Sequence, residues 1–249
     1  MSPQIPPIKM FEDADELAEQ LAIEFLNSVH QAVENEKKFY VALSGGSTPA
    51  HFFHKLASEP YREKISWQSV HFFWGDERCV PPNHSDSNYR MTKQNLLDYI
   101  SLPAENVHRI LGEKDPTTEA KRYAQEIESL VPKNDSKFPR FDWILLGLGT
   151  DGHTASIFAG SDVLDDHQNI CTATIHPESG QKRITLTLPV INNARRISFL
   201  VTGEHKASIV AQILVGVESS ERLPVSLIRP TNGNLEWYLD REAGKVIRG

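Results

Sequence analysis

The feature that most constrains the fold of this 249-residue chain is an apolar run that ends in a polar turn. Residues 141–146, Phe-Asp-Trp-Ile-Leu-Leu, predict a buried strand that Gly147 ends. The following turn carries Asp151 and His153, at a point where a helix could begin. A strand, a reactive turn and a helix are how α/β enzymes present catalytic groups.

Short apolar runs and helical patterns alternate along the whole chain. Strands are predicted at residues 39–43, 70–74, 142–146, 170–175, 184–188 and 197–201, and helices at 13–36, 49–57, 88–98, 117–130 and 205–215. This alternation predicts an α/β fold, with a mostly parallel sheet and helices on both faces. We expect a single domain over residues 1–249, within which a smaller subregion at about 160–195 is an alternative division.

Composition and charge limit the function classes. The chain is 39% hydrophobic and 24% charged, which is typical of a globular protein. The net charge of −7 argues against nucleic-acid and membrane partners, because anionic surfaces would repel it. Two cysteines without metal-ligand spacing and an N-terminus without a secretory pattern predict a cytoplasmic protein with no metal.

The turn after the first predicted strand resembles a phosphate cradle. Gly45 and Gly46 permit close approach of backbone to a ligand, and Ser47 and Thr48 can cap the helix that Pro49 begins. Free N–H groups and the positive end of the helix dipole would then face an anion. The alternative is a tight strand-to-helix turn with a good cap and no ligand.

Cationic side chains follow two other predicted strands. Arg78 could bind phosphate or carboxylate oxygens, with Asp76 and Glu77 positioning it or contacting sugar hydroxyls, and Lys206 could supply a point charge. A solvated ion pair and a solvated lysine are the alternatives. All these turns share one edge of the predicted sheet, where doubly wound folds bind ligands.

His153 is the candidate general base. At a helix start the dipole would disfavour the imidazolium, whereas the neighbouring Asp151 would favour it, so that titration near neutrality is expected. A purely structural histidine is the alternative.

Two other motif interpretations are weaker. Residues 147–152 satisfy the G-x-G-x-x-G dinucleotide pattern, but Asp151 would sit at the pyrophosphate and the next strand lacks a ribose-binding acid. A serine hydrolase built from Ser47, His153 and Asp151 lacks the G-x-S-x-G elbow.

Five segments in this order resemble the 6-phosphogluconolactonase family, within the wider group that includes glucosamine-6-phosphate isomerases. The matching segments are residues 43–49 (LSGGSTP), 74–88 (WGDER followed by PP and DSN), 147–156 (GLGTDGHTAS), 183–187 (RITLT) and 201–207 (VTGEHKA). They extend over most of the chain, and residues 224–239 resemble the closing segment of the family.

The resemblance implies a Rossmann-like sheet, no cofactor, and hydrolysis of 6-phospho-D-glucono-1,5-lactone to 6-phosphogluconate in the oxidative pentose phosphate pathway. It implies that His153 activates water and that Asp151 positions it. The implied phosphate-binding residues are Gly45, Gly46, Ser47, Thr48, Arg78, Lys206 and Arg183. The expected partner is a small phosphosugar lactone, and the expected assembly is a monomer or weak homo-oligomer.

Two alternatives remain within this resemblance. An isomerase of the same wider group would use a carboxylate after the second strand, but such enzymes have Asp-Glu-Tyr where this chain has Asp76-Glu77-Arg78, and Thr154-Ala155-Ser156 also departs from their pattern. A non-catalytic sugar-phosphate sensor would keep its function without His153.

Overall fold

The computed structural model describes residues 6–214 and 223–247. The strands in these ranges are β1 (Ile8–Phe11), β2 (Phe39–Leu43), β3 (Val70–Trp74), β4 (Asp76–Arg78), β5 (Trp143–Leu146), β6 (Cys171–Ile175), β7 (Lys182–Leu186), β8 (Arg196–Val201) and β9 (Asn234–Asp240). The α-helices are α1 (Ala14–Glu34), α2 (Ser47–Leu56), α3 (Tyr61–Lys64), α4 (Asn88–Thr92), α5 (Pro116–Leu130), α6 (Leu188–Asn192) and α7 (Ala207–Leu214).

Six strands form one parallel sheet in the order β1-β9-β8-β5-β2-β3. In its centre Val41 of β2 pairs with Trp143 of β5, and Ile144 pairs with Ile197 of β8. Because all six strands run the same way, their carboxyl ends lie at one edge. The prediction of an α/β fold with a mostly parallel sheet is therefore confirmed.

The remaining strands form a separate antiparallel sheet in the order β4-β7-β6. The runs predicted as strands at 170–175 and 184–188 lie in this second sheet, as β6 and β7, and not in the parallel one. A short turn, residues 176–181, joins β6 to β7, and a turn of that length permits only antiparallel pairing. β4 starts one residue after β3, where the chain turns away from the main sheet at Gly75.

Helix α1 shows how the core follows from the sequence. The Asp13 carboxylate caps it by accepting hydrogen bonds from the N–H groups of Asp15 and Glu16. Four fully buried side chains spaced four residues apart line its inner face: Leu17, Leu21, Phe25 and Val29. The Phe25 ring packs on the rings of Phe52, Phe72 and Trp143, which joins the helix layer to the sheet.

Most predicted elements occur with bounds shifted by a few residues. Strands β1, β4 and β9 were not predicted, and Leu188 begins helix α6 instead of ending a strand. The helix predicted over 205–215 is a 3₁₀ turn, Glu204–Lys206, followed by α7, and residue 215 lies outside the described residues. The division into a single domain over 1–249 stays a prediction.

Within residues 6–214 and 223–247, no helix has both the length and the apolar character needed to cross a bilayer.

Candidate active site

A cavity of about 320 Å³ lies at the carboxyl edge of the parallel sheet. The loops after β2, β3, β5 and β8 and the antiparallel sheet all contribute to it. Its lining comprises Ser44, Gly45, Gly46, Asp76, Arg78, Asn88, Gly147, Leu148, Gly149, His153, Ala155, His176, Arg183 and Lys206. The four turns that the sequence placed at one sheet edge therefore do meet.

The turn after β2 is built around Gly45 and Gly46. A Cβ at Gly45 would lie 1.9 Å from Asn88 Oδ1, so only glycine fits, and Gly46 is the N-cap of α2 with a φ of 108°. No side chain caps this helix, so the prediction that Ser47 and Thr48 cap it was wrong. Those two residues instead occupy the first helical positions, where their side chains lie past the capping point.

Ser47 and Thr48 do not line the cavity. Ser47 is exposed and faces a neighbouring cavity of about 280 Å³ that it shares with Gly46, Arg78 and Asn88. Thr48 is buried, and its hydroxyl hydrogen-bonds to the Thr202 hydroxyl at 2.7 Å. Thr48 therefore joins the turn after β2 to the turn after β8.

Glu77 organises the loop that follows β3. Its carboxylate is buried and accepts hydrogen bonds from the N–H groups of Arg78, Asn88 and Tyr89, each at 2.8 Å, and from the Ser87 hydroxyl at 3.0 Å. Burial raises the pKa of this carboxyl group, and the backbone N–H groups oppose the rise. These bonds fix Arg78 and Asn88 at the cavity wall.

Asp76 is also held in the cavity wall. Its Oδ2 accepts a 2.6 Å hydrogen bond from the Ser156 hydroxyl, and Asn88 Nδ2 donates to its backbone oxygen at 2.9 Å. The side chain is buried, so its carboxylate is oriented by neighbours instead of by solvent.

Arg78 and Arg183 bring two positive charges together. They are directly paired residues of β4 and β7, and the buried Nε atom of each has no hydrogen-bond partner in the described part of the chain. Burial and the charge of Arg78 lower the pKa of Arg183. Two partly buried, like-charged guanidinium groups with unused donors form a site prepared for an anion.

The turn after β5 holds His153 without a helix. Gly152 has a φ of 81°, Ala155 a φ of 49°, and Thr154 and Ile157 form an isolated bridge, so the chain reverses where a helix was predicted. The expected helix start at His153 was therefore wrong, and no helix dipole acts on the imidazole there. The Thr154 hydroxyl donates a 2.9 Å hydrogen bond to Gly147 O, which closes the turn.

Asp151 orients the imidazole of His153. Its Oδ1 lies 2.6 Å from His153 Nδ1. Burial would raise the pKa of Asp151, but the charge and hydrogen bonds of His153 outweigh burial and lower it. An ionised carboxylate only accepts hydrogen bonds, so Nδ1 carries the proton. Nε2 of neutral His153, which has no hydrogen-bond partner among the described residues, is then available as a base.

Lys206 reaches the cavity from the turn after β8. The Asp240 carboxylate accepts hydrogen bonds from Gly203 N at 3.0 and 2.9 Å, and so fixes this turn. Burial lowers the pKa of the Lys206 ammonium, while the charge of Asp151 raises it.

The structure adds cavity residues that sequence reasoning missed, above all Asn88 and His176. His176 lies 23 positions after His153, in a hairpin, and nothing in its local sequence marks it. Asn88 is missed because it lies beside Gly45, which is 43 positions earlier in the sequence, and local patterns do not show that these two segments meet. In the residues described, no group of three or more His, Cys, Asp or Glu side chains could hold a metal ion.

Comparisons with known proteins give consistent likenesses. The family model described as glucosamine-6-phosphate isomerases/6-phosphogluconolactonase matches residues 12–237. A 6-phosphogluconolactonase from Haemophilus influenzae is 45% identical over 208 residues, which cover 84% of this chain and 87% of the relative.

Solved structures agree with that likeness. A crystal structure described as devB protein has a TM-score of 0.90 and 44% sequence identity to this chain. The match covers 97% of this chain and 99% of the devB chain. The 6-phosphogluconolactonase from Trypanosoma brucei has a TM-score of 0.84 and 30% identity, covering 97% and 98%. These likenesses extend over nearly the whole chain.

Proposed function

Since this chain belongs to the glucosamine-6-phosphate isomerase/6-phosphogluconolactonase family, we propose that it hydrolyses 6-phospho-D-glucono-1,5-lactone to 6-phospho-D-gluconate. It is then a carboxylic ester hydrolase of the oxidative pentose phosphate pathway. One observation carries the proposal. The His153 imidazole, whose Nδ1 lies 2.6 Å from Asp151 Oδ1, lines the same cavity as Arg78 and Arg183, which have unused donors.

The imidazole supplies the base. Neutral His153 takes a proton from water at Nε2 while the water oxygen bonds to the lactone carbonyl carbon. Asp151 keeps the proton on Nδ1 and stabilises the imidazolium that forms. A lactone is an activated ester, so water can attack it directly.

Collapse of the tetrahedral intermediate completes the reaction. The bond between the carbonyl carbon and the ring oxygen breaks, and the imidazolium returns its proton to that oxygen, which becomes the hydroxyl of the open chain. The new carboxylic acid then loses its own proton to solvent. His153 is thereby restored to its neutral form for the next turnover.

The cations bind the phosphate group. Arg78 and Arg183 present donors from facing strands, Lys206 adds a third positive charge, and Gly45 and Gly46 let backbone approach an oxygen closely. Binding the phosphate positions the ring for attack at a distance from the charge cluster. Ser47, in the adjoining cavity, is an outer contact of the same anion.

The curated relatives favour lactone hydrolysis over amino-sugar isomerisation, because those at 35–45% identity are named 6-phosphogluconolactonase. Asp76 would be the proton-shuttling carboxylate in an isomerase. Its hydrogen bonds from Ser156 and Asn88 instead suit a residue that holds the cavity wall.

The test is a direct assay on freshly generated 6-phosphogluconolactone, with spontaneous hydrolysis subtracted. Parallel incubation with glucosamine 6-phosphate measures isomerase activity. Lactone turnover is expected and fructose 6-phosphate formation is not, and the opposite result would reject the proposal. Phosphosugar binding without any turnover would indicate a sensor.

We also propose that the protein works in the cytoplasm as a monomer or weak homo-oligomer, without nucleic-acid or membrane partners. The net charge of −7 supports the absence of anionic macromolecular partners.

A further inference from the structure

His176 is a cavity residue to which the reaction described above gives no role. It directly follows β6 and begins the hairpin turn to β7, where its N–H donates to Gln181 O at 2.9 Å and its oxygen accepts from Gly180 N at 3.0 Å. These bonds fix the backbone on either side of the imidazole, so that the ring is held at the cavity wall.

The turn also fixes the tautomer of His176. The N–H groups of Glu178 and Ser179 both point at His176 Nδ1, each at 3.3 Å. An atom that accepts these bonds cannot carry a proton, so the ring proton of neutral His176 lies on Nε2. In the described part of the chain, the hydrogen bonds of the His176 ring involve Nδ1 and not Nε2. In this tautomer His176 therefore offers one unused N–H donor.

The rings of His176 and His153 share a neighbour. The centroid of each lies 4.9 Å from the Phe158 ring, and the two imidazole centroids are 6.2 Å apart at an interplanar angle of 80°. A hydrogen-bond partner of an imidazole nitrogen lies about 4 Å from the ring centroid. The centroid separation of 6.2 Å is less than twice this distance. A group bonded to His153 and a group bonded to His176 can therefore lie next to each other.

The turn that carries the base has already used several of its own donors. Gly149 N donates to His153 O at 2.8 Å, Gly152 N donates to Gly149 O at 3.1 Å, and His153 N lies 3.3 Å from Asp151 Oδ1. Those three N–H groups could donate to a developing oxyanion only if the hydrogen bonds that close this turn were broken. A donor from the opposite wall is available instead.

We propose that His176 donates its Nε2–H to the lactone carbonyl oxygen and stabilises the oxyanion that forms when water attacks. This inference rests on the proposed function. An uncharged donor suits the role, because it strengthens as negative charge develops on that oxygen and does not compete with the arginines for the phosphate.

The test separates the donor from the turn that holds it. In His176→Asn the shorter side chain still presents an acceptor to the N–H groups of residues 178 and 179, as in an Asx turn, but has no donor at the Nε2 position. In His176→Gln the amide N–H lies near that position. His167→Asn, an exposed histidine outside the cavity, is the matched control.

We expect His176→Asn to lower kcat by about 10²-fold with KM nearly unchanged, His176→Gln to recover part of the loss, and His167→Asn to match the wild type. The thermal unfolding midpoint of His176→Asn should stay near that of the wild type. Wild-type kcat in His176→Asn, or an effect confined to KM, would overturn the inference, as would a loss explained by unfolding. If the wild type itself does not hydrolyse the lactone, the proposed function fails instead.

Discussion

His153 and Asp151 act together in the proposed mechanism, so each single change should remove most of the base function. We expect His153→Asn to lower kcat by roughly 10²–10⁴-fold with little change in KM, because the change leaves the arginines that we propose bind the phosphate untouched. Asp151→Asn should have a similar but smaller effect, since the imidazole loses the partner that keeps its proton on Nδ1. Steady-state kinetics on the lactone measure both.

The control for this pair is His54→Asn, an exposed residue of α2 outside the cavity. Its kinetics should equal those of the wild type. Turnover of the folded His153→Asn protein at a near-normal rate would contradict the role of the base.

Arg183 tests the anion site, because it has an unused buried donor and a like-charged neighbour. Arg183→Met should weaken 6-phosphogluconate binding by about 1.5–3 kcal/mol, the usual value of charge-assisted hydrogen bonds. Without ligand, the same change should not lower the melting temperature, since it removes repulsion with Arg78. Calorimetric titration and thermal unfolding, with and without 6-phosphogluconate, check both.

The ligand-dependent rise in melting temperature should shrink in Arg183→Met. Lys182→Met, the neighbouring exposed cation of β7, is the matched control and should retain the wild-type rise. Equal binding by wild type and Arg183→Met would remove Arg183 from the site.

At the scale of elements, the turn after β5 has no room for a side chain at Gly149. A Cβ at Gly149 would lie 2.2 Å from His153 Nδ1 and 2.4 Å from Asp151 Oδ1. Gly149→Ala should therefore separate the pair and lower kcat strongly, with a smaller effect on KM. Gly75→Ala is the control, because its Cβ would meet only Leu43 O at an ordinary 3.5 Å. Kinetics and a crystal structure of Gly149→Ala would measure the displacement, and an unshifted, fully active pair would refute this account.

The same turn shows where sequence patterns stop predicting elements. The apolar run before Gly147 predicts β5 well, because burial on both faces selects such residues. The positive φ values at Gly152 and Ala155 depend on contacts with distant segments, such as the hydrogen bond from Val225 N to Gly152 O. Local patterns therefore predicted a helix that the tertiary contacts exclude.

Strand β9 was missed for a related reason. Glu236 interrupts its apolar pattern, yet in the fold that carboxylate contacts Lys9 at 2.9 Å and accepts a hydrogen bond from Ser198 at 2.8 Å. Its partners come from β1 and β8, which the sequence does not identify as neighbours. Alternation of elements thus predicted the fold class and the edge where the cavity lies. The antiparallel sheet, β9 and the place of His176 in the cavity wall depend on pairings between distant segments.

At the scale of the whole molecule, a chain of hydrogen bonds links β3 to α5. His71 Nδ1 lies 3.0 Å from His108 Nε2, and His108 Nδ1 lies 2.8 Å from Glu126 Oε1. Burial, and after it the charge of His108, lowers the pKa of His71 to about 4. The ordinary value, near 6.5, applies to the unfolded chain.

This difference predicts how stability depends on pH. Below pH 6.5 the unfolded chain binds a proton at His71, whereas the folded protein binds it only near pH 4. The contribution of His71 to the free energy of unfolding is therefore complete above pH 6.5 and is lost as the pH falls towards 4. His71→Asn should therefore flatten the decline in the free energy of unfolding between pH 7 and 4. Urea unfolding at several pH values measures the slope, and His30→Asn, on the exposed side of α1, is the control that should keep the wild-type slope. An unchanged slope in His71→Asn would show that His71 titrates alike in the folded and unfolded chains.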